Sequence, residues 1–214
     1  MTLTPLPRFA RGLRIGLLGG SFNPAHGGHR QASLTALKKL GLDQVWWLVT
    51  PGNPLKDNHG LPAMVGRIVQ ARLVARHPRI AVTGIEAKLG TRFTAETLSQ
   101  LTMRHPGVHF VWLMGSDNLA QFHRWQNWRG IARMMPIGVI DRPGSTHGAV
   151  RSRAGVALCR WRLDESDGLL LPTQSAPAWM FLHGRRSSAS STALRAARTS
   201  EDKGRSHNIR PEPS

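Results

Sequence analysis

Short apolar runs alternate with longer amphipathic segments along most of the chain. Six runs are apolar enough to form buried strands, at residues 13–18, 45–49, 80–83, 108–114, 137–140 and 179–182. Three intervening segments repeat apolar residues at helical spacing, at residues 28–40, 61–76 and 94–104. Gly41 follows the first of these as a C-cap, and Pro62 stands near the first turn of the second, where a missing N–H costs little. Strands that alternate with such helices predict βαβ units and a parallel sheet.

This alternation predicts an α/β fold, a single Rossmann-like domain on a doubly wound parallel sheet, over residues 13–198. Residues 1–12 are then an N-terminal extension. Residues 199–214 form a basic tail in which apolar residues almost vanish, so we expect it to be disordered. Residues 142–175 are weakly patterned and suggest loops. Ligands of such sheets bind at the carboxyl ends of the strands, so the segments after Leu18, Val49 and Met114 are the ones to inspect.

Composition narrows the class of protein without deciding it. The 214 residues are 40% hydrophobic, which is enough to bury a core, and they contain neither an apolar run of membrane-spanning length nor a secretory signal. A single cysteine, Cys159, rules out an internal disulfide and a C-x-x-C metal site. We expect a soluble protein of the cytoplasm.

The charge points to anionic partners. The chain has 29 Lys and Arg residues, 24 of them arginine, against 12 acids, a formal charge of +17. Such an excess suits nucleic acid, an acidic membrane surface or phosphorylated small molecules, and the guanidinium fork fits phosphate. An arginine bias also follows from genomic base composition. Charge therefore indicates anion binding and no more.

The most informative segment is residues 19–29, Gly-Gly-Ser-Phe-Asn-Pro-Ala-His-Gly-Gly-His, directly after the first strand. We expect that strand to end at Leu18 and the two glycines to form a tight turn that brings the backbone close to a phosphate, beside the N–H groups of the next helix. His26 and His29 are three residues apart, so both rings can face one anion and stabilise transition-state charge. The alternatives are an ordinary glycine turn or half of a metal site, and no further metal-binding side chain lies nearby in sequence.

This segment resembles the signature of the H-x-G-H nucleotidyltransferases, which move an adenylyl or cytidylyl group onto a phosphate acceptor. More narrowly, the chain resembles the bacterial nicotinate-nucleotide adenylyltransferases, and the likeness extends over residues 19–195. Four further segments match that family in order: Asn-Pro-Leu-Lys at 53–56, Arg-Phe-Thr-Ala-Glu-Thr-Leu at 92–98, Gly-Ser-Asp-Asn-Leu at 115–119 with Phe122, Trp125 and Trp128 after it, and Ser-Ser-Thr-Ala-Leu-Arg at 190–195. The resemblance implies the nucleotidyltransferase fold.

The resemblance also implies a reaction and its residues. AMP would pass from ATP, accompanied by Mg²⁺, to nicotinate mononucleotide, giving deamido-NAD and pyrophosphate, with no protein-ligated metal. The catalytic residues would be His26 and His29. The residues implied for ATP are Gly19, Gly20, Ser21, Phe22, Asn23, His26, His29, Lys56, Gly115, Asp117, Ser191, Thr192 and Arg195, and those implied for the nicotinate nucleotide are Phe93, Thr94, Trp125 and Gln126. Neither a membrane nor a nucleic acid is expected as a partner, and the oligomeric state is left open.

Some of these residues also have a physical argument of their own. Lys56 can act as a point charge for the triphosphate, although an ordinary solvated lysine is the alternative. The hydroxyls of residues 190–192 can cap a helix whose N–H groups bind phosphate, and Arg195, one turn later, can reach the same phosphate with its fork. Asp117 can bind ribose hydroxyls or simply cap the next helix.

The aromatic residues and the departures from the family pattern bear on the acceptor and on Mg²⁺. Trp125 and Trp128 are spaced for one helix face, where packing is the usual role, and the resemblance assigns Trp125 to stacking on the pyridine ring. Asn23 stands where many members have Asp, which weakens any role in assisting Mg²⁺. Phe93 stands where Tyr is frequent, so a phenolic contact is absent.

Two other functions stay open. The first is a transferase of the same superfamily that acts on nicotinamide mononucleotide or phosphopantetheine; the tryptophans and the Phe93–Thr94 segment argue against phosphopantetheine. The second is a basic RNA-binding protein, suggested by the charge of +17. A tRNA-charging enzyme would need a lysine-rich second loop and a large anticodon-binding region, and the sequence has neither.

Overall fold

The computed structural model describes residues 6–52, 61–141 and 146–184 and contains one six-stranded sheet. The strands are β1 Arg14–Gly20, β2 Gln44–Val49, β3 Ile80–Thr83, β4 His109–Gly115, β5 Ile137–Ile140 and β6 Trp179–Leu182. Every neighbouring pair is parallel, in the order β3-β2-β1-β4-β5-β6. The order reverses between β1 and β4. The predicted doubly wound α/β fold is therefore confirmed.

Helices cover both faces of this sheet. They are α1 Gly27–Lys39, α2 Met64–Ala75, α3 Ile85–Leu89, α4 Thr94–Arg104, α5 Ser116–Gln121, α6 Trp128–Met134, α7 Thr146–Val150 and α8 Arg153–Ala157, with 3-10 segments at Phe122–Arg124, Cys159–Trp161 and Glu165–Thr173. Apolar residues of α1 and α2 pack on one face, and those of α4 and α6 pack on the other. Both faces are thus buried, as a parallel sheet requires.

The central strands carry large side chains to both layers. Trp46 and Trp47 are neighbours in β2, neither is exposed, and they belong to opposite core clusters because successive strand residues point to opposite faces. Burying side chains of this kind contributes roughly 1.5–3 kcal/mol each. The sheet is therefore a firm platform for whatever leaves its carboxyl edge.

The first strand differs from the prediction. It runs through both glycines to Gly20, and neither has a positive φ; the chain turns instead at Phe22, whose φ is +46°. A Cβ on Gly19 would lie 2.5 Å from Cη2 of Trp112. Close packing against the Trp112 ring, rather than a tight turn, therefore explains the glycine at position 19.

The weakly patterned stretch at 142–175 is also more ordered than predicted, since its described part contains α7, α8 and two 3-10 segments. Each α-helix there has only five residues, too few to show a helical period. Glu165 anchors this region, because its carboxylate accepts hydrogen bonds from Lys39 of α1 and from the backbone N–H of His183 after β6.

The N-terminal residues pack on the sheet layers. The Phe9 ring lies edge-on to Trp46, with centroids 5.8 Å apart, and to His105, at 4.6 Å. The domain limits remain a prediction, and the tail at 199–214 lies outside the described residues. Within the described ranges, none of the helices combines the length and apolarity needed to cross a membrane.

Candidate active site

The reversal of strand order between β1 and β4 opens the carboxyl edge of the sheet at its centre. Residues 21–26 leave β1 there, Thr50 leaves β2, and Ser116 begins α5 directly after β4. Because parallel strands end at the same edge, these segments border one region. The predicted site residues from Gly19 to His29, with Gly115 and Asp117, lie in these segments or directly beside them.

Two imidazoles begin the helix after β1. His26 is the N-cap of α1, and its Nδ1 accepts the N–H of Gly28 at 3.1 Å, while Nδ1 of His29 accepts the N–H of His26 at 3.2 Å. The ring centroids are 3.9 Å apart. A neutral imidazole that accepts at Nδ1 carries its hydrogen on Nε2. The backbone therefore holds both rings in the tautomer whose Nε2–H is a donor.

The surrounding charge favours an anion beside these rings. The N-terminal end of a helix carries partial positive charge, and α1 has no acidic residue in its first turn. The last turn contains Lys38 and Lys39, at the negative end of the helix. The start of α1 is thus an environment that would stabilise an anion.

Phe22 has a different place from the other residues of this segment. Its side chain is only 1% exposed and stacks on Trp47 with centroids 5.0 Å apart, and it also lies 4.8 Å from the His29 ring. Its ring supports the histidine from the core. Any contact of Phe22 with ATP would be made by its backbone.

On the β4 side, Gly115 ends the strand and caps α5, and Asp117 is exposed in the first turn of that helix. Since β4 pairs with β1, this turn lies next to the histidine segment along the sheet edge. An exposed acid there is suitably placed for ribose hydroxyls.

The Phe93–Thr94 segment is held in place by the start of α4, the helix predicted over the same residues, 94–104. Glu96 accepts the N–H groups of Arg92 at 3.1 Å and Phe93 at 3.3 Å. Phe93 and Thr94 themselves are half-buried. These bonds fix the backbone while leaving part of each side chain accessible.

The two tryptophans do not share a helix face, contrary to the prediction. Trp125 is extended, with φ −75° and ψ 142°, between the 3-10 turn Phe122–Arg124 and the start of α6. It packs edge-on against Trp112 and Phe122 and is half-buried, whereas Trp128 is only 7% exposed. Gln126 is exposed. The link between the 3-10 turn and α6 leaves the Trp125 ring accessible and the Trp128 ring in the core. The i, i+3 spacing of the two tryptophans does not reveal this link.

Several predicted residues lie outside the described part of the chain. These are Lys56 and the matching segment 53–56, and Ser191, Thr192 and Arg195 with the segment 190–195. Asn23 is described and precedes Pro24 in the turn after β1.

Glu86, in the first turn of α3 after β3, is not among the site residues predicted from the sequence. Its side chain is 8% exposed, and burial raises its pKa to about 7, against a smaller opposing effect of a hydrogen bond with the Thr50 side chain. The Glu86 carbonyl accepts the N–H of Thr91, two residues before Phe93. Inspecting the strand end after β3 as well would have found this acid.

The described side chains bear on the expected Mg²⁺. Among them, no group of three His, Cys, Asp or Glu residues is arranged to hold a metal ion. Mg²⁺ commonly binds substrate phosphates with few protein ligands, so an ion that arrives with ATP stays a prediction.

With this geometry in view, the chain can be compared with known proteins. Residues 17–197 match the Cytidylyltransferase-like family. A relative from Methylorubrum extorquens, named "Probable nicotinate-nucleotide adenylyltransferase", is 56% identical over 86% of this chain and 99% of its own length. One of the same name from Rhizobium meliloti is 52% identical over 87% of this chain and all of its own. The chain belongs to the nicotinate-nucleotide adenylyltransferase family.

The fold of solved nucleotidyltransferases agrees with this assignment. The Plasmodium falciparum nicotinic acid mononucleotide adenylyltransferase complexed with NaAD matches with a TM-score of 0.61 at 18% identity, over 85% of this chain and 82% of its own. The same enzyme complexed with APC gives 0.60 at 17%, over 86% and 83%. These structures show the shared fold, and the curated relatives confirm the predictions of a nucleotidyltransferase and of a place in NAD biosynthesis.

Proposed function

We propose that this protein transfers the AMP group of ATP to nicotinate mononucleotide at the carboxyl edge of the sheet, between the start of α1 and the Trp125 segment. An oxygen of the acceptor 5′-phosphate forms a bond to the α-phosphorus of ATP, and the bond from that phosphorus to the β-phosphate bridging oxygen breaks. Deamido-NAD and pyrophosphate leave. No protein nucleophile is needed, so catalysis rests on positioning and on stabilising charge.

The observation that carries this proposal is the pair of imidazoles locked at Nδ1 by the first turn of α1. Two Nε2–H donors side by side at a helix N-terminus suit the α- and β-phosphate oxygens, where negative charge builds in the transition state. Lys56 and Arg195 are assigned to the triphosphate by resemblance. Mg²⁺, bound to the phosphates, would offset their charge.

The acceptor end is assigned to the half-buried aromatic residues. The Trp125 ring would stack on the pyridine, beside Phe93. Backbone N–H groups near Gln126 and the side chain or backbone of Thr94 would hold the nicotinate carboxylate. Both segments are supported by fixed backbone geometry, which favours recognition by shape. We also propose the cytoplasm as the place of action, since the enzyme consumes ATP and a mononucleotide.

The test is a panel of acceptors with ATP, Mg²⁺ and a pyrophosphate readout. Nicotinate mononucleotide should give the highest kcat/KM, above nicotinamide mononucleotide, phosphopantetheine and a no-acceptor control. His29→Ala should lower turnover by about 10²–10³-fold with the fold retained. Tight, strongly salt-dependent binding of RNA without pyrophosphate release from any acceptor would contradict the proposal.

A further inference from the structure

Arg67, on α2, is a buried cation that the reaction scheme above does not use. Its side chain is buried, with the residue 4% exposed. The guanidinium donates to four backbone carbonyls: Nε to Pro62 at 2.9 Å, one terminal nitrogen to Ser21 at 2.7 Å and Thr50 at 2.8 Å, and the other to Pro51 at 3.2 Å. Four of the five N–H groups of an arginine are thereby used on the main chain.

The four carbonyls belong to three different segments. Ser21 lies in the turn between β1 and His26, Thr50 and Pro51 lead from β2 toward the segment containing Lys56, and Pro62 precedes α2. One planar fork therefore ties the turn after β1 to the exit from β2. The rigid geometry of a guanidinium, unlike a lysine ammonium, sets the spacing between acceptors on either side of it.

Burying a charged guanidinium costs free energy of folding, so stability by itself does not explain this arrangement. Burial disfavours the charged form and lowers the pKa of Arg67. Among the described residues its hydrogen-bond partners are carbonyl oxygens, so desolvation is offset by dipoles rather than by an opposite charge. What the fork provides is a fixed geometry for two loops, and both loops lead to residues assigned to the triphosphate.

We propose that Arg67 is a positioning residue for AMP transfer: it fixes the turn after β1 relative to the exit from β2. Ser21, in the turn that leads to the histidine pair, is thereby held at a fixed distance from Thr50 and Pro51 at the end of β2. This inference rests on the proposed function. It assigns to Arg67 no contact with ATP.

The test compares Arg67→Lys, which keeps the charge and loses the fork, with Arg67→Met, which loses both. Arg79 is the matched control, because its guanidinium also donates to a backbone carbonyl, that of Leu42, but at the start of β3 on the opposite edge of the sheet. We expect both Arg67 variants to lower kcat/KM for ATP by about 10–100-fold, as small misplacements of reacting groups do. KM for nicotinate mononucleotide should change less than threefold. Arg79→Lys and Arg79→Met should match the wild type.

Three further measurements separate positioning from folding and from charge. Calorimetry with a non-hydrolysable ATP analogue should show weaker binding to both Arg67 variants, with circular dichroism reporting a retained fold. Added guanidinium ion should restore part of the activity of Arg67→Ala, whose truncated side chain leaves room for the ion, and not that of His29→Ala. If Arg67→Met does not fold, Arg67→Lys decides.

The proposal is overturned if Arg67→Lys has wild-type kcat/KM, since charge alone would then suffice. It is equally overturned if activity falls only in proportion to the folded fraction. Failure of the proposed function reads out separately, as a wild-type protein that releases no pyrophosphate with any acceptor. In that case, comparing the binding of the ATP analogue to the wild type and to Arg67→Lys still tests whether Arg67 positions the two loops.

Discussion

The two sides of the candidate site are built by different forces. At the start of α1, directional hydrogen bonds from the backbone fix each imidazole at a named nitrogen. Around Trp125, edge-on contacts with Trp112 and Phe122 hold an aromatic ring. Phosphate chemistry needs donors at fixed positions, whereas a planar acceptor ring needs an accessible surface of the right shape. Under the proposed function, the first side would serve catalysis and the second the choice of acceptor.

The largest expected effect is a loss of kcat in two variants of His26, which separate its role as helix N-cap from its role as Nε2 donor. Asn at position 26 can still accept the Gly28 N–H as an N-cap but lacks Nε2. We expect His26→Asn to lose about 10²–10³-fold in kcat with little loss of stability. His26→Ala should lose as much activity and also about 1 kcal/mol of stability. Pyrophosphate release and chemical denaturation measure both quantities.

A control for this pair is His109→Ala, which removes an exposed imidazole at the start of β4, on the opposite edge. Its activity should equal that of the wild type. Near-normal turnover in His26→Asn would show that the cap, and not the Nε2 donor, is what the reaction requires.

Glu86 connects the two sides, through Thr50 toward the phosphate end and through Thr91 toward Phe93. Its pKa is raised from 4.5 to about 7, so the native protein keeps the proton while the unfolded chain ionises. Stability is therefore lost as the pH rises from about 4.5 to about 7, by about 3 kcal/mol in total. Glu86→Gln should unfold like the wild type below pH 4.5 and be more stable than it at pH 8. Denaturation curves at several pH values measure this.

A difference between Glu86→Gln and wild type that stays constant with pH would show that the carboxyl titrates at its ordinary value. The contact of Glu86 with the Thr50 side chain would then be made by an ionised carboxylate rather than by a protonated one.

On the acceptor side, Trp125→Ala and Trp128→Ala should fail in different ways. Loss of the accessible ring should raise KM for nicotinate mononucleotide by roughly 5–150-fold, since stacking on an aromatic ring is worth about 1–3 kcal/mol. KM for ATP should hardly change. Loss of the buried Trp128 ring should instead lower stability by about 3–5 kcal/mol. Steady-state kinetics and thermal melts distinguish the two, and an unchanged acceptor KM in Trp125→Ala would remove the stacking assignment.

The smallest expected effect is a difference in stability between alanine variants of the two glycines at the end of β1. Gly19→Ala forces a methyl against Trp112 and should cost about 1–3 kcal/mol of stability. Gly20→Ala meets Phe22 at an ordinary 3.4 Å, so its stability should change little. If Gly20 approaches phosphate, as the resemblance implies, its substitution should raise KM for ATP. Equal melting temperatures for the two variants would contradict the packing explanation at position 19.

Long regular elements could be predicted from the sequence because their patterns are local. Helix α4 and strands β3, β5 and β6 have the predicted bounds, and α2 begins at Met64 rather than 61. Helices of five to seven residues, such as α3 and α6, escape because a period needs more residues to become visible.

The candidate site divides in the same way. The histidine pair could be predicted because spacing at a helix start is local information. Arg67 could not, since an arginine within a helix is usually solvated and its burial depends on carbonyls from segments up to 46 residues away. Trp125 and Trp128 were wrongly placed on one face because a three-residue link, 125–127, separates two short helical segments and leaves no mark in the spacing.

The reciprocal bonds of His26 and His29 make readiness for chemistry inseparable from the integrity of a helix end. Both Nδ1 atoms accept from backbone N–H groups at the start of the helix, so a change that disturbs the first turn of α1 would displace both rings together. The start of the helix and the proposed phosphate donors therefore cannot change independently of each other.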